Sequence, residues 1–132
     1  MLPPNQVIKL KAEIEKAATL HLNTIDIDAA LSHYTDDMVA ISNTKVFSSR
    51  EELAAELSGY YSILKRVNHA SWEDINIQII SQNAATFTAK FNYGFTSKDG
   101  EHTDLKGVWT ALFILDKGRW KIRLRHESFG EL

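Results

Sequence analysis

From residue 67 onward the apolar positions of this chain recur at every second residue, whereas before it they recur at every third or fourth. A period of two marks strands with one buried face, and a period of three to four marks amphipathic helices. In the first part Val7, Leu10, Ile14, Ala17, Ala18 and His21 share one stripe behind the helix entry Pro3-Pro4-Asn5, which predicts a helix over 5–22. Asp26 can cap a short second helix, in which Ile27, Ala30, Leu31 and Tyr34 share a face and which ends before Asp36. Met38 to Ser42, the turn formers Asn43 and Thr44, and then Val46 and Phe47 predict a small hairpin. Ser49 with Glu52 forms a capping box, and Leu53, Leu57, Tyr60, Tyr61 and Leu64 give a third helix.

The second part reads as a meander of four long antiparallel strands. Ile75, Ile77 and Ile79 mark the first inward face, then Phe87, Ala89, Phe91, Tyr93 and Phe95, then Trp109, Ala111, Phe113 and Leu115, and last Trp120, Ile122, Leu124 and His126. Turns fall at Gln82-Asn83, Asp99-Gly100 and Lys117-Gly118, residue pairs suited to tight hairpins. Counting outward from Lys117-Gly118 pairs Leu115 with Trp120, Phe113 with Ile122, Ala111 with Leu124 and Trp109 with His126. A strict two-residue loop at Asp99-Gly100 sets Phe91 against Val108 on the wrong face, so a longer loop, or a bulge at Gly94 or Gly107, is expected there. Strands of about ten residues, longer than usual, tend to curl around whatever covers their apolar face, and the helices are the available cover.

Composition narrows the function. The 132 residues are 44% hydrophobic and 24% charged, the balance of one folded domain, and no linker or repeat divides 1–132. A formal charge of -2 disfavours a nucleic-acid binder, which needs a basic face. There are no cysteines, so disulfides, thiolate zinc sites and cysteine nucleophiles are excluded. Neither a signal peptide nor a membrane span is readable, which makes a cytoplasmic location the expectation. His33, His69 and His102 show no metal-ligand spacing, and no cofactor motif is present.

The stretches DAALSHYTDDMVAIS, SSREELAAEL and GVWTALFILDKGRWKIRLRHESF resemble the nuclear-transport-factor-2-like superfamily, and within it the SnoaL-like branch. The resemblance implies a cone-shaped α+β barrel, three N-terminal helices packed in a curved, mainly antiparallel sheet, with a pocket inside the cone and a homodimer through the outer sheet face. It implies no single reaction, because members isomerise, cyclise, dehydrate or simply bind, so function has to be argued from the site.

His126 is the first candidate, either as a satisfied interior histidine or as a pocket group able to move a proton near neutral pH. Trp109, Phe91, Tyr93 and Phe113 form an inward aromatic stripe, in the first place core material and alternatively a wall for an apolar or aromatic ligand. Of the adjacent Tyr60 and Tyr61, Tyr60 is preferred as the inward one. Asp36-Asp37 reads as a turn or capping pair, and His21 either reaches the interior or merely ends its helix. In similar enzymes such as ketosteroid isomerase a carboxylate in the cone acts as base. Here the inward strand positions offer none, and the first helix lacks that enzyme type's tyrosine. The expectation is therefore a ligand-binding homodimer, with a His126-centred isomerase, dehydratase or cyclase as the alternative. Val108, Leu112, Ile114, Lys121, Arg123 and Arg125 are expected on the outer, dimer-forming face.

Overall fold

Pro4 opens the first helix because its missing N–H costs nothing in a first turn, where no carbonyl precedes to accept it. In the computed structural model, which describes residues 2–131, that helix is α1, Pro4–Leu22, and it buries Leu10, Ile14 and Ala18. In α2, Ile27–Ser32, the Asp26 carboxylate accepts the Ala29 N–H at 2.9 Å. In α3, Arg50–Ile63, the Ser49 hydroxyl accepts the Glu52 N–H at 3.1 Å while Glu52 accepts the Ser48 N–H at 2.7 Å. The caps read from the sequence are thus in place. Two helix ends differ: Tyr34 begins a strand instead of closing α2, and Leu64 begins another instead of closing α3.

The strands are β1, Tyr34–Ser42; β2, Lys45–Phe47; β3, Leu64–Ser81; β4, Ala84–Ser97; β5, His102–Asp116; and β6, Arg119–Glu131. They form one sheet in the order β2-β1-β6-β5-β4-β3, antiparallel except where β1 runs parallel to β6. Register shifts at four points of β3 bend the sheet's far edge. α1 lies against β3, β4 and β6, and α3 against α2, β1 and β2, so the curled sheet and its helices make a cone-shaped α+β fold. Its core joins Ile14, Tyr34, Met38, Leu53, Phe87 and Trp109.

The hairpin between β4 and β5 resolves the parity conflict by loop length alone. The ladder runs without a bulge from Thr96↔His102 to Ala84↔Ile114, and a loop over 97–101 closes it. Phe91 thereby pairs with Gly107, on the Trp109 side. Gly107 carries no side chain because a Cβ there would overlap the Ser128 carbonyl and the Phe91 ring.

The hairpin between β5 and β6 departs from the expected register. Leu115↔Trp120 and Phe113↔Ile122 pair as counted, but the next pair is Leu112↔Leu124, leaving Arg123 as an extra residue in β6. Beyond it every side chain changes face: Trp109 pairs with Glu127, Ala111 with Arg125, and His126 with the exposed Thr110. Leu124 and His126 therefore point outward, and Arg125 points in.

Two contacts hold this shifted register. Arg123 Nε lies 3.2 Å from the Asp37 carboxylate, where the β1–β6 ladder also shifts. Asn43, at φ 52° in the β1–β2 turn, donates its N–H to the Glu127 carbonyl at 2.8 Å and accepts the Phe129 N–H on Oδ1 at 2.9 Å. The other member of the acidic pair, Asp36, binds Arg50 at 2.6 Å. Both aspartates thus face arginines rather than cap or turn the backbone.

Candidate functional site

Between the sheet and the helices lies a cavity of about 850 Å³. Its aromatic wall comes from β3, β4 and β5: Trp72, Phe91, Tyr93, Phe95 and Trp109 all line it. The Trp72 and Trp109 rings are 5.2 Å apart, and Trp72 meets Phe91 edge-on at 6.4 Å. Such offset and edge contacts suit the ring quadrupoles and hold the wall rigid. α3 adds both tyrosines: the Tyr60 hydroxyl donates to Tyr93 at 2.7 Å, and the Tyr61 hydroxyl donates to the Thr24 carbonyl at 3.2 Å. Burial, then the hydrogen bond to Tyr93, pushes the Tyr60 hydroxyl far above its ordinary pKa, so both phenols stay protonated.

The polar end of the cavity comes from the shifted end of β6. Arg125 and Glu127 both line it, 2.8 Å apart, with side chains only 7% and 19% exposed. Burial opposes the charge on Arg125, but the Tyr34 oxygen and the Glu127 carboxylate more than offset it, so its pKa is raised. Tyr34 is itself pushed up to about 12, chiefly by burial. The Tyr34 hydroxyl is hydrogen-bonded to His21 Nε2 at 3.0 Å. On its other side His21 Nδ1 is hydrogen-bonded to His33 Nδ1 at 2.9 Å. Burial first, then His33 and Arg125, hold His21 well below 6.5, so it is neutral at pH 7. Both its ring nitrogens are engaged, and it meets the cavity as a spent hydrogen-bonding group.

The expected site residues fall into three groups. Trp109, Phe91, Tyr93 and Tyr60 come together on the wall. Phe113 is buried in the core against Trp109, ring centroids 6.3 Å apart, and does not line the cavity. His126 lies exposed on the outer face, because the extra residue Arg123 reverses its parity. The same reversal corrects two further expectations: Arg125 leaves the outer face, and Glu127 supplies the inward carboxylate expected to be missing. Tyr61 lines the cavity along with Tyr60, since adjacent positions at the end of α3 flank it. Among the described residues no group of three or more His, Cys, Asp or Glu side chains is placed to hold a metal ion, and no helix is long and apolar enough to cross a membrane.

A mixed, curled six-stranded sheet closed by helices around a cavity is a nuclear-transport-factor-2-like fold. Residues 13–130 match the family model of the SnoaL-like domain, and the chain belongs to that family. No curated protein matches it. Among solved structures it is similar to a provisionally assigned scytalone dehydratase of Novosphingobium aromaticivorans, with a TM-score of 0.87 and 14% identity over 97% of this chain and 89% of that one. It is also similar to a ketosteroid isomerase-like protein of Erwinia carotovora atroseptica, with a TM-score of 0.75 and 24% identity over 89% and 94%. A provisionally assigned dehydratase of the NTF2-like family from Streptomyces avermitilis aligns with a TM-score of 0.79 and 15% identity over 96% and 97%. At these identities the superpositions show a shared fold.

The neutral histidines give a pH signature. Both His21 and His33 are lowered from 6.5, chiefly by burial, so as pH falls below 6.5 the unfolded chain takes up protons that the folded chain refuses. Stability is full above 6.5 and declines as pH falls toward the folded values. Urea midpoints should drop between about pH 7.5 and 5.5, and His21→Gln should flatten that slope.

Proposed function

We propose that this protein binds a small apolar or aromatic molecule inside its cone, and that it works as a homodimer joined through the outer face of the sheet. The observation that carries the ligand reading is the cavity of about 850 Å³, which sets an aromatic wall beside one buried Arg125–Glu127 pair. Small-molecule sites have this composition, apolar with a few placed polar groups, at volumes of roughly 300–1,000 Å³. Naphthalene, a plain apolar ring probe, should bind and quench tryptophan fluorescence. Leu105→Trp, which puts an indole on the cavity wall, should weaken that binding about tenfold or more without loss of fold. Equal binding by the two proteins would place the ligand elsewhere.

A second reading, proton transfer on a carbonyl compound, is favoured by the inward carboxylate of Glu127 beside the Arg125 guanidinium. The fold neighbours named as a dehydratase and as ketosteroid isomerase-like point the same way. Glu127 would take a proton from the carbon next to a carbonyl while Arg125 holds the enolate oxygen. The proton then returns to carbon and the pair is restored. His21 is a poor base for this step, since both its ring nitrogens are occupied. Hydrogen–deuterium exchange at the α-carbons of β-tetralone, followed by NMR, tests it: the protein should accelerate exchange, and Glu127→Gln should lose about 10²–10⁴-fold of that acceleration. No acceleration by the wild type leaves the binding reading alone.

The dimer reading rests on the outer face, where Val108 is 44% exposed and Leu124 42%. Leu124 pairs with Leu112, so these two leucines form an apolar patch across β5 and β6, with Val108 on the same face beyond Thr110. Sedimentation at micromolar concentration should give the mass of two chains, and Leu124→Lys the mass of one. A single-chain mass for the wild type would sink the dimer.

A further inference from the structure

Resting on the reading of the cone as a small-molecule site, we propose that its preferred ligand is a neutral ring compound carrying a hydroxyl group, held by that hydroxyl between Arg125 and Glu127. The charges at this end of the cavity already cancel. Arg125 faces Glu127 at 2.8 Å, and the other carboxylate close by, Glu56, is held by Lys45 at 3.4 Å. His21 and Tyr34 are uncharged and bonded to each other. A ligand carboxylate would arrive beside two carboxylates that keep their own cations, and a ligand ammonium beside Arg125. Either brings a charge into a buried place without a counterion, which costs more than a hydrogen bond returns.

The chemistry of the pair then selects among neutral groups. Arg125, on the cavity lining, can only donate, so the ligand has to offer an accepting oxygen. Glu127 can only accept, and its carboxylate has lone pairs beyond the one Arg125 uses, so the ligand has to offer a proton as well. A hydroxyl does both through one atom. A ketone or ether meets only the first demand, and a hydrocarbon neither. The aromatic wall of Trp72, Trp109 and Phe91 fixes the rest of the molecule as a flat apolar ring system.

Calorimetric titration of naphthol, naphthalene and naphthoate tests this. Naphthol should bind the wild type about tenfold or more tighter than naphthalene, as expected for hydrogen bonds to charged groups, and naphthoate more weakly than naphthol. The double variant Arg125→Met/Glu127→Leu removes both charges together, so neither is left unpaired. It should bind naphthol and naphthalene about equally. Glu127→Gln, which keeps size and shape, should reduce the preference severalfold and serves where the double variant fails to fold by circular dichroism. Equal affinities for naphthol and naphthalene in the wild type, tightest binding by naphthoate, or a preference unchanged in the variants would overturn the proposal. Wild-type protein that binds none of the three would instead overturn the cone reading on which it rests.

Discussion

Side chains on a strand alternate between two faces, so one extra residue exchanges the face of every side chain that follows it. In β6 that residue is Arg123. Before it Trp120 and Ile122 serve the interior; after it Arg125 and Glu127 do. The polar end of the cavity exists because of this shift. The shift in turn is held at both ends, by the ion pair of Arg123 with Asp37 and by Asn43, whose left-handed backbone lets it clasp Glu127 and Phe129 together.

The inward charges need a surrounding that tolerates them. A buried arginine needs a counter-charge close by, and Glu127, 2.8 Å away, supplies it. Tyr34 is hydrogen-bonded to His21, and His21 to His33, so a chain of hydrogen bonds runs from the cavity to a partly exposed histidine. This chain ties α1 to the start of β1. It also explains why the histidine at the end of the α1 stripe is an interior residue and a neutral one.

Most of the fold was legible because local chemistry and global packing agree in it. Asp26, Ser49 and Pro4 mark helix starts by mechanisms that act within a few residues, and the inward faces of β4 and β5 follow an unbroken alternation. The aromatic wall could be read from that alternation. Its polar end could not. Leu124 continues the apolar pattern of Trp120 and Ile122, so the sequence carries the parity past Arg123 and delivers His126 to the interior. The one contrary sign was Phe129, an aromatic residue of the opposite parity that lines the cavity beside Glu127. Trp72 escaped notice because β3 is irregular at four points and its alternation is broken.

The shift at Arg123 also bears on how relatives of this chain are to be compared. Aligned by residue type, a histidine in the last strand invites equation with any other inward histidine. Aligned by count from the preceding turn, the same position lies outside and its neighbours within. A deletion or insertion of one residue between the Lys117-Gly118 turn and Leu124 would therefore replace the whole inner lining of this strand without altering any of its letters. In this hairpin, length variation is a route to new chemistry that a substitution matrix does not register.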